Sequence, residues 1–225
     1  MKAVILAAGG GTRFKRSFPK TLLVLPDGEK ILGRQIRIMR KYGIHEIYVV
    51  IGFKKDLVME TFPDVFYLYN SLYHLTNTSK SLLMAVKNLS GEILWVNGDV
   101  VFEEMALKKI MSVAGNVIGV NNAHCGEEEV KYRIDKQNHI CEISKEVQHA
   151  AGEAIGINKI EPETLPMFID ALQACADTDY FEKAVELVIQ KGASFKPVDI
   201  SEFKCIEVDF EEDWQRTLDL FGHGN

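Results

Sequence analysis

Two sets of residues have types and spacings suited to phosphate chemistry. The first is Leu6-Ala7-Ala8-Gly9-Gly10-Gly11-Thr12-Arg13, with Pro19-Lys20 shortly after. A glycine-rich turn that follows a strand lets backbone N–H groups come close to phosphate oxygens. Arg13 adds a planar fork for such oxygens and Lys20 a compact point charge. The string is not a dinucleotide fingerprint, because the third glycine of G-x-G-x-x-G, counted from Gly9, falls on Phe14. It is not a P-loop either, since no Gly-Lys-Ser/Thr follows. The second set is acidic: Trp95-Val96-Asn97-Gly98-Asp99, and Glu207-Val208-Asp209. An aspartate at the C-terminal end of a parallel strand stands where α/β proteins bind ligands. The competing reading of Asn97–Asp99 is a turn with a capping aspartate. The period of two along a strand puts Glu207 and Asp209 on one face.

These residues need a scaffold, and the hydrophobic pattern supplies one. Ala3–Leu6 reads as a buried strand. Ile31, Leu32, Ile36, Met39 and Tyr42 recur at helical spacing, with Gly43 as C-cap. Strands at Ile47–Ile51, Val65–Tyr69 and Ile93–Val96 alternate with helices at Lys54–Thr61, Thr78–Leu89 and Glu103–Val113. That alternation implies a parallel sheet covered on both faces. Beyond it come strands at Val117–Val120, Val130–Asp135, His139–Ile143 and Ala154–Ile157, with a hairpin turn at Lys136-Gln137-Asn138. Helices are expected from Pro162, a favourable first helical residue, and from about Asp179. Strands at Lys196–Ile200 and Cys205–Val208 and a helix at Glu211–Phe221 close the chain, with Asp213 capping that helix. The expected fold is one α/β domain over residues 1–225, with a mostly parallel Rossmann-like sheet and a small antiparallel addition.

Composition narrows the function class. A hydrophobic share of 47% with 26% charged residues is that of a globular domain. No apolar run approaches the roughly 18 residues of a membrane span, and the short run before Gly9 reads as a strand rather than a signal peptide. Four cysteines at wide spacing, Cys125, Cys141, Cys175 and Cys205, fit a reducing, cytoplasmic setting. The net charge of −6 argues against nucleic-acid binding. The charge is uneven, however. Residues 1–60 carry 12 Lys and Arg against 5 Asp and Glu, and the rest 14 against 27. The plainer reading of this asymmetry is solvated helix faces; the sharper one is a basic first third that receives a polyanion and an acidic remainder that supplies metal ligands.

The glycine string with its Pro-Lys resembles the signature loop of the sugar-phosphate and alcohol-phosphate nucleotidyltransferases. Those enzymes share the α/β fold of nucleotide-diphospho-sugar transferases, like the nucleotide-binding half of A-type glycosyltransferases. The resemblance implies attack of a phosphomonoester on the α-phosphate of an NTP, loss of pyrophosphate, and Mg²⁺. It implies that Ala7, Ala8 and Gly9–Arg13 wrap the triphosphate, with Arg13 and Lys20 as the catalytic cations. It also implies that Asp99 and Asp209, with Glu207, hold the metal, whose preference is for hard oxygens. Only Phe14–Phe18 separate Arg13 from Pro19, fewer residues than in the hexose-1-phosphate enzymes.

Asn70-x-x-Tyr73-x-x-Thr76-Asn77-x-x-x-Ser81-Leu82 is similar to a stretch of phosphocholine and 2-aminoethylphosphonate cytidylyltransferases. This implies CTP as the first-choice nucleotide, with Asn77 and Ser81 at the base and Tyr73 at the acceptor. A polar loop with a helix cap is the plainer reading of the same residues. Lys145 and Glu153 resemble family positions that follow the antiparallel insertion. There Lys145 would meet the acceptor phosphate and Glu153 an ammonium or hydroxyl, while an exposed strand charge is the equal alternative for either. Tyr69, Tyr73, Tyr132 and Trp214 are candidates for a cation–π cage, although packing is the commoner use of scattered aromatics. His124-Cys125 and His139-x-Cys141 lack zinc-site spacing, and Glu127-Glu128-Glu129 reads as a solvated loop. Rival readings are a sugar-1-phosphate enzyme using another NTP, a cytidylyltransferase of isoprenoid precursor synthesis, a non-catalytic nucleotide sensor and a flavin or nicotinamide module. The missing Asp-x-x-Arg after the fourth strand opposes the isoprenoid reading. The intact Arg13, Lys20, Asp99 and Asp209 oppose a sensor, and the broken fingerprint opposes the last. The expected acceptor is a small phosphorylated or phosphonylated alcohol or amine, and oligomeric state is left open.

Overall fold

In a computed structural model, residues 1–10, 18–123 and 129–222 are described. Lys2–Ala7 forms β1, whose side chains alternate between two cores. Ala3, Ile5 and Ala7 face one side of the sheet, and Val4 and Leu6 the other. The chain then makes a single 3₁₀ turn at Lys20–Leu22 and enters α1 (Ile31–Lys41). That helix ends where Gly43 takes a φ of +80°, a left-handed position that glycine adopts without strain. Next come β2 (Ile47–Ile51), α2 (Lys55–Thr61), β3 (Phe66–Tyr69), α3 (Thr78–Val86) and β4 (Ile93–Asn97). β1 pairs in parallel with both β2 and β4, and β2 in parallel with β3. The alternating pattern thus yields the covered parallel sheet that it implies.

The second half departs from that regularity. β5 (Val100–Phe102) leaves the sheet at once and leads to α4 (Glu104–Ser112). β6 (Asn116–Asn121), β7 (Lys131–Ile134), β8 (Ile140–Ser144) and β9 (Gly152–Ile160) follow. α5 (Leu165–Ala174), α6 (Phe181–Gln190), β10 (Phe195–Asp199), β11 (Cys205–Glu207) and α7 (Glu211–Gly222) complete the described chain. β9 inserts antiparallel between β4 and β6, while β10 is parallel to β6. The larger sheet therefore runs β10-β6-β9-β4-β1-β2-β3, with the β7–β8 hairpin attached through β9. β11 pairs with β5 in a separate two-stranded antiparallel sheet.

Three expectations need adjustment. β5 has only three residues, too few for a pattern to register, and it forms because β11 supplies its partner. The helix expected from Pro162 begins at Leu165, and Pro166 stands in its first turn instead. Residues 161–164 are a turn, in which the Glu161 carbonyl accepts from Thr164 and Leu165. β9 runs over nine residues rather than the four of Ala154–Ile157, with a register shift opposite Ile118 and Val120 that lets it follow two neighbours.

Trp95 anchors the core on the face covered by α3, α5 and α6. It is fully buried, with Phe168 stacked at 5.3 Å and Phe181 edge-on at 5.7 Å. Phe181 opens α6, so this contact fixes where α6 starts relative to β4. Trp95→Ala is expected to cost about 3–5 kcal/mol, the usual range for emptying an aromatic core site. Urea denaturation followed by circular dichroism measures it.

Candidate active site

The site forms where β1 and β4 end side by side. The Gly98 N–H donates to the Leu6 carbonyl at 2.9 Å. A Cβ on Gly98 would lie 2.8 Å from that same oxygen and 3.0 Å from Ala7 Cβ, so glycine is required for the approach. The turn after β4 is thereby pressed against the start of the glycine string, and Asp99 reaches the wall that also holds Gly9 and Gly10. A cavity of about 390 Å³ opens there. Gly9, Gly10, Lys20, Asp99, Lys145, Glu207 and Asp209 all line it. Residues 11–17, which include Thr12 and Arg13, and residues 124–128, which include His124, Cys125, Glu127 and Glu128, lie outside the described residues.

Lys20 joins three segments. Its ammonium stands 2.8 Å from Asp99 Oδ2 and donates to Asp209 Oδ1 at 2.8 Å and to the Val208 carbonyl at 2.7 Å. Burial by itself would favour a neutral amine. The charges of Asp99 and Asp209 outweigh it and hold the Lys20 pKa above its ordinary value. The end of β11 is tied down as well. Val208 N–H donates to the Asp99 carbonyl, and Asp213 Oδ2 accepts from Asp209 N–H and Phe210 N–H. Asp213 is thus the cap that the sequence suggests. Glu207 accepts from Asn97 Nδ2 at 3.1 Å. Burial, then the charges of Asp99 and Asp209, push its carboxyl well above the usual range. Gly156 in β9 makes room for this contact, since a Cβ there would sit 2.6 Å from Asn97 Nδ2.

The opposite wall comes from the start of α6. Tyr180, Phe181 and Glu182 all line the cavity, and none of them stands out in the sequence. Their only signal is three chemically capable residues at a helix start. Thr78 Oγ1 accepts from Phe181 N–H at 3.0 Å and fixes that start against α3. Glu182 is 8% exposed, and its Oε2 has no hydrogen-bond partner among the described residues. Burial pushes its carboxyl up to about 7, with Lys145 acting in the other direction. Lys145 Nζ lies 5.2 Å from the centre of the Tyr180 ring. Glu129 is exposed, in keeping with the solvated-loop reading, and also borders the cavity, where partial loss of water and the charges of Glu153 and Asp209 raise its pKa.

Other expected site residues lie off this wall. Asn77 caps α3, accepting from Thr78 N–H at 2.8 Å, and its amide donates to the Thr178 carbonyl. Ser81 accepts from Asn70 Nδ2 at 3.1 Å within the protein. Tyr73 packs on Gly52, where a Cβ would come within 2.6 Å of its ring. Glu153 is buried at the start of β9 beside Asn121. Among the aromatics proposed for a cage, Tyr132 and Trp214 are core residues, and Tyr180 takes the position by the cavity instead.

The model of the MobA-like NTP transferase domain matches residues 3–131. The chain belongs to this family of nucleotidyltransferases. It is 28% identical over 167 residues to the bifunctional protein GlmU of Methanococcus aeolicus, covering 72% of this chain and 40% of that protein. Over 75 residues it is 37% identical to the probable glucose-1-phosphate cytidylyltransferase of Bacillus subtilis, covering 32% of this chain and 29% of that one. The matched regions thus cover less than half the length of either relative. Two solved structures share the fold. They are the inositol-1-phosphate CTP transferase of T. maritima, with TM-score 0.82, 16% identity, and coverage of 99% and 96%, and the CTP:phosphocholine cytidylyltransferase of Streptococcus pneumoniae, with TM-score 0.79, 18% identity, and coverage of 97% and 98%. The fold is therefore that of the nucleotide-diphospho-sugar transferases, a mostly parallel α/β sheet with a small antiparallel part. No helix among the described residues is long and apolar enough to cross a membrane.

Beside this cavity the Glu182 carboxyl links folding to pH. Its pKa of about 7 in the folded chain exceeds the ordinary 4.5. The folded state therefore favours the protonated form, and stability is lost as pH rises from the ordinary value through the folded one. Glu182→Gln is expected to be more stable than the parent at pH 8. The difference should shrink as pH falls through 7 and vanish below about 4.5. Thermal melts across that range test the sign and the window.

Proposed function

We propose that this nucleotidyltransferase moves a nucleoside monophosphate, CMP from CTP foremost, onto a small phosphorylated or phosphonylated alcohol or amine. An acceptor phosphate oxygen forms a bond to the α-phosphorus of the NTP, and the bond from that phosphorus to the bridging oxygen breaks. Pyrophosphate leaves with the electron pair. The acceptor needs little help from a base, because a phosphomonoester with a second pKa near 6 is mostly dianionic at pH 7. The obstacle is the meeting of two polyanions, so positioning and charge neutralisation carry the catalysis. The observation that carries the reading is Lys20, held between Asp99 and Asp209 beside Gly9 and Gly10.

Backbone N–H groups of the glycine string would cradle the triphosphate, Arg13 would steady the departing phosphates, and Lys20 would meet the α-phosphate. The donor set fits Mg²⁺. The cleft between Asp99 and Asp209 already takes a cation, the Lys20 ammonium. Among the described residues no group of three or more ligating side chains forms a ready-made cage. This suits an ion that is bound through one or two carboxylates plus substrate phosphates and water. Asp99 and Asp209 would hold it, while Glu207 stays bonded to Asn97 behind them, and the ion's charge would neutralise phosphate oxygens as the reactants close.

At the acceptor end, Lys145 would bind the phosphate, while Glu182, Glu129 and the Tyr180 ring favour a cationic head group. Glu153 would act behind Glu129 rather than on the wall itself. A sugar 1-phosphate acceptor is the second reading, favoured by the likeness to the probable glucose-1-phosphate cytidylyltransferase. A cationic head group would draw the Glu182 and Glu129 carboxyls back to their ionised forms, a pairing that a neutral sugar does not offer, so the amine is preferred.

Lys20→Ala is expected to lower kcat by about 10²–10³, as loss of one transition-state contact does, with little change in CTP binding. Asp99→Asn and Asp209→Asn should fold but be inactive, and EDTA should abolish an activity that Mg²⁺ restores. Pyrophosphate release measures each, and parental turnover in any of these variants counts against the assignment.

The acceptor is tested by kcat/KM for phosphocholine, aminoethylphosphonate, glycerol phosphate and glucose 1-phosphate with CTP. A desolvated cation–π contact of roughly 2 kcal/mol gives about a thirtyfold preference for the amines. A clear win for glucose 1-phosphate would shift the acceptor to the second reading.

A further inference from the structure

α1 carries one polar residue deep in its buried face. Gln35 is 1% exposed among Leu32, Ile36, Ile38 and Met39. Its Nε2 donates to the Asn97 carbonyl at 2.9 Å and to the Val100 carbonyl at 2.7 Å. Those carbonyls bracket the turn Asn97-Gly98-Asp99-Val100, so one primary amide spans both ends of the segment that carries Asp99. A primary amide suits this because it offers two N–H donors from one nitrogen. The other half of the side chain is unrewarded, since Oε1 is buried with no partner among the described residues. A buried acceptor without a partner is costly. An amide kept here despite that cost serves the turn more than the core.

The rest of the turn is held from other directions. Gly98 N–H bonds to Leu6, the Asp99 carbonyl accepts from Val208, and the Asn97 side chain holds Glu207. Gln35 is the contact from the helix layer. We propose that Gln35 is a positioning residue, which sets the direction of the Asp99 carboxylate and through it the affinity for the divalent cation. It touches neither substrate nor metal. The proposal rests on the reading of Asp99 as a metal-holding carboxylate.

The test uses Gln35→Met, which keeps the length of the side chain and removes both donors. Mn²⁺ binding to the full chain is followed by electron paramagnetic resonance with CTP present, beside CTP binding without metal, the melting temperature and the Mg²⁺ dependence of pyrophosphate release. Losing a group that orients a metal ligand typically weakens metal binding by about 10–100-fold. That shift is expected in the Mn²⁺ curve and in the half-saturating Mg²⁺. CTP binding without metal should be unchanged, and turnover should recover at high Mg²⁺. A lower melting temperature with unmoved metal curves would overturn the proposal, because a merely structural amide gives that result. Should Gln35→Met fail to fold, Gln35→Asn keeps an amide that is one methylene too short to span both carbonyls. It should show the same shift, and an unmoved metal curve there is equally adverse. Parental chain that binds no Mn²⁺, with or without CTP, would defeat the reading of Asp99 and this proposal together. Normal binding by the parent and by Gln35→Met would defeat the proposal alone.

Discussion

The site depends on one half-buried cation. The Lys20 ammonium is within 2.8 Å of carboxylates that follow two separate strands and also bonds a main-chain carbonyl. Removing Lys20 would leave two carboxylates facing each other without a counter-charge, whereas removing either aspartate leaves one ion pair. The arrangement is better understood as a register device. It ties the segment after the glycine string, the turn after β4 and the end of β11 to a single point. The same point is where two phosphate-bearing reactants would need positive charge. A lysine suits it because an ammonium on a flexible stem can change partners, whereas a guanidinium fork is committed to one geometry.

Around that point the protein concentrates negative charge in partly dry surroundings. Glu207 and Glu182 both have carboxyls pushed upward, chiefly by burial. Groups with such shifts collect at functional sites because low dielectric and close like charges are what a reactive cleft requires. Here they stand on opposite walls. Glu207 is tied through Asn97 to the end of β4, and Glu182 stands at the start of α6, where Trp95 and Phe181 pack.

Much of this was legible in the chain alone. Gly9-Gly10-Gly11, Pro19-Lys20, Gly98-Asp99 and Glu207-Val208-Asp209 are local patterns whose chemistry follows from residue type and spacing. The alternation of apolar runs implies the parallel sheet because both periods are local properties. Capping by Asp213 and the turn at Gly43 are legible for the same reason. The sheet's central order, with β1 between β2 and β4, is a matter of pairing between distant segments and came only with the structure.

Other features came only with tertiary structure, because they depend on residues far apart in sequence. The role of Tyr180-Phe181-Glu182 arises when Trp95 and Thr78 dock the start of α6 beside the cavity. Nothing in that tripeptide indicates the distance to Lys145. β5 exists because β11 pairs with it across about a hundred residues of chain. Asn77 and Ser81 have the types to read a base, yet a helix cap and a contact with Asn70 engage them. Polar side chains take whichever partner the fold brings within reach, and sequence spacing does not record that competition. Gln35 is the clearest case. Its place on an apolar helix face reads as a flaw in the pattern, and only the carbonyls of Asn97 and Val100 above it give the amide its purpose.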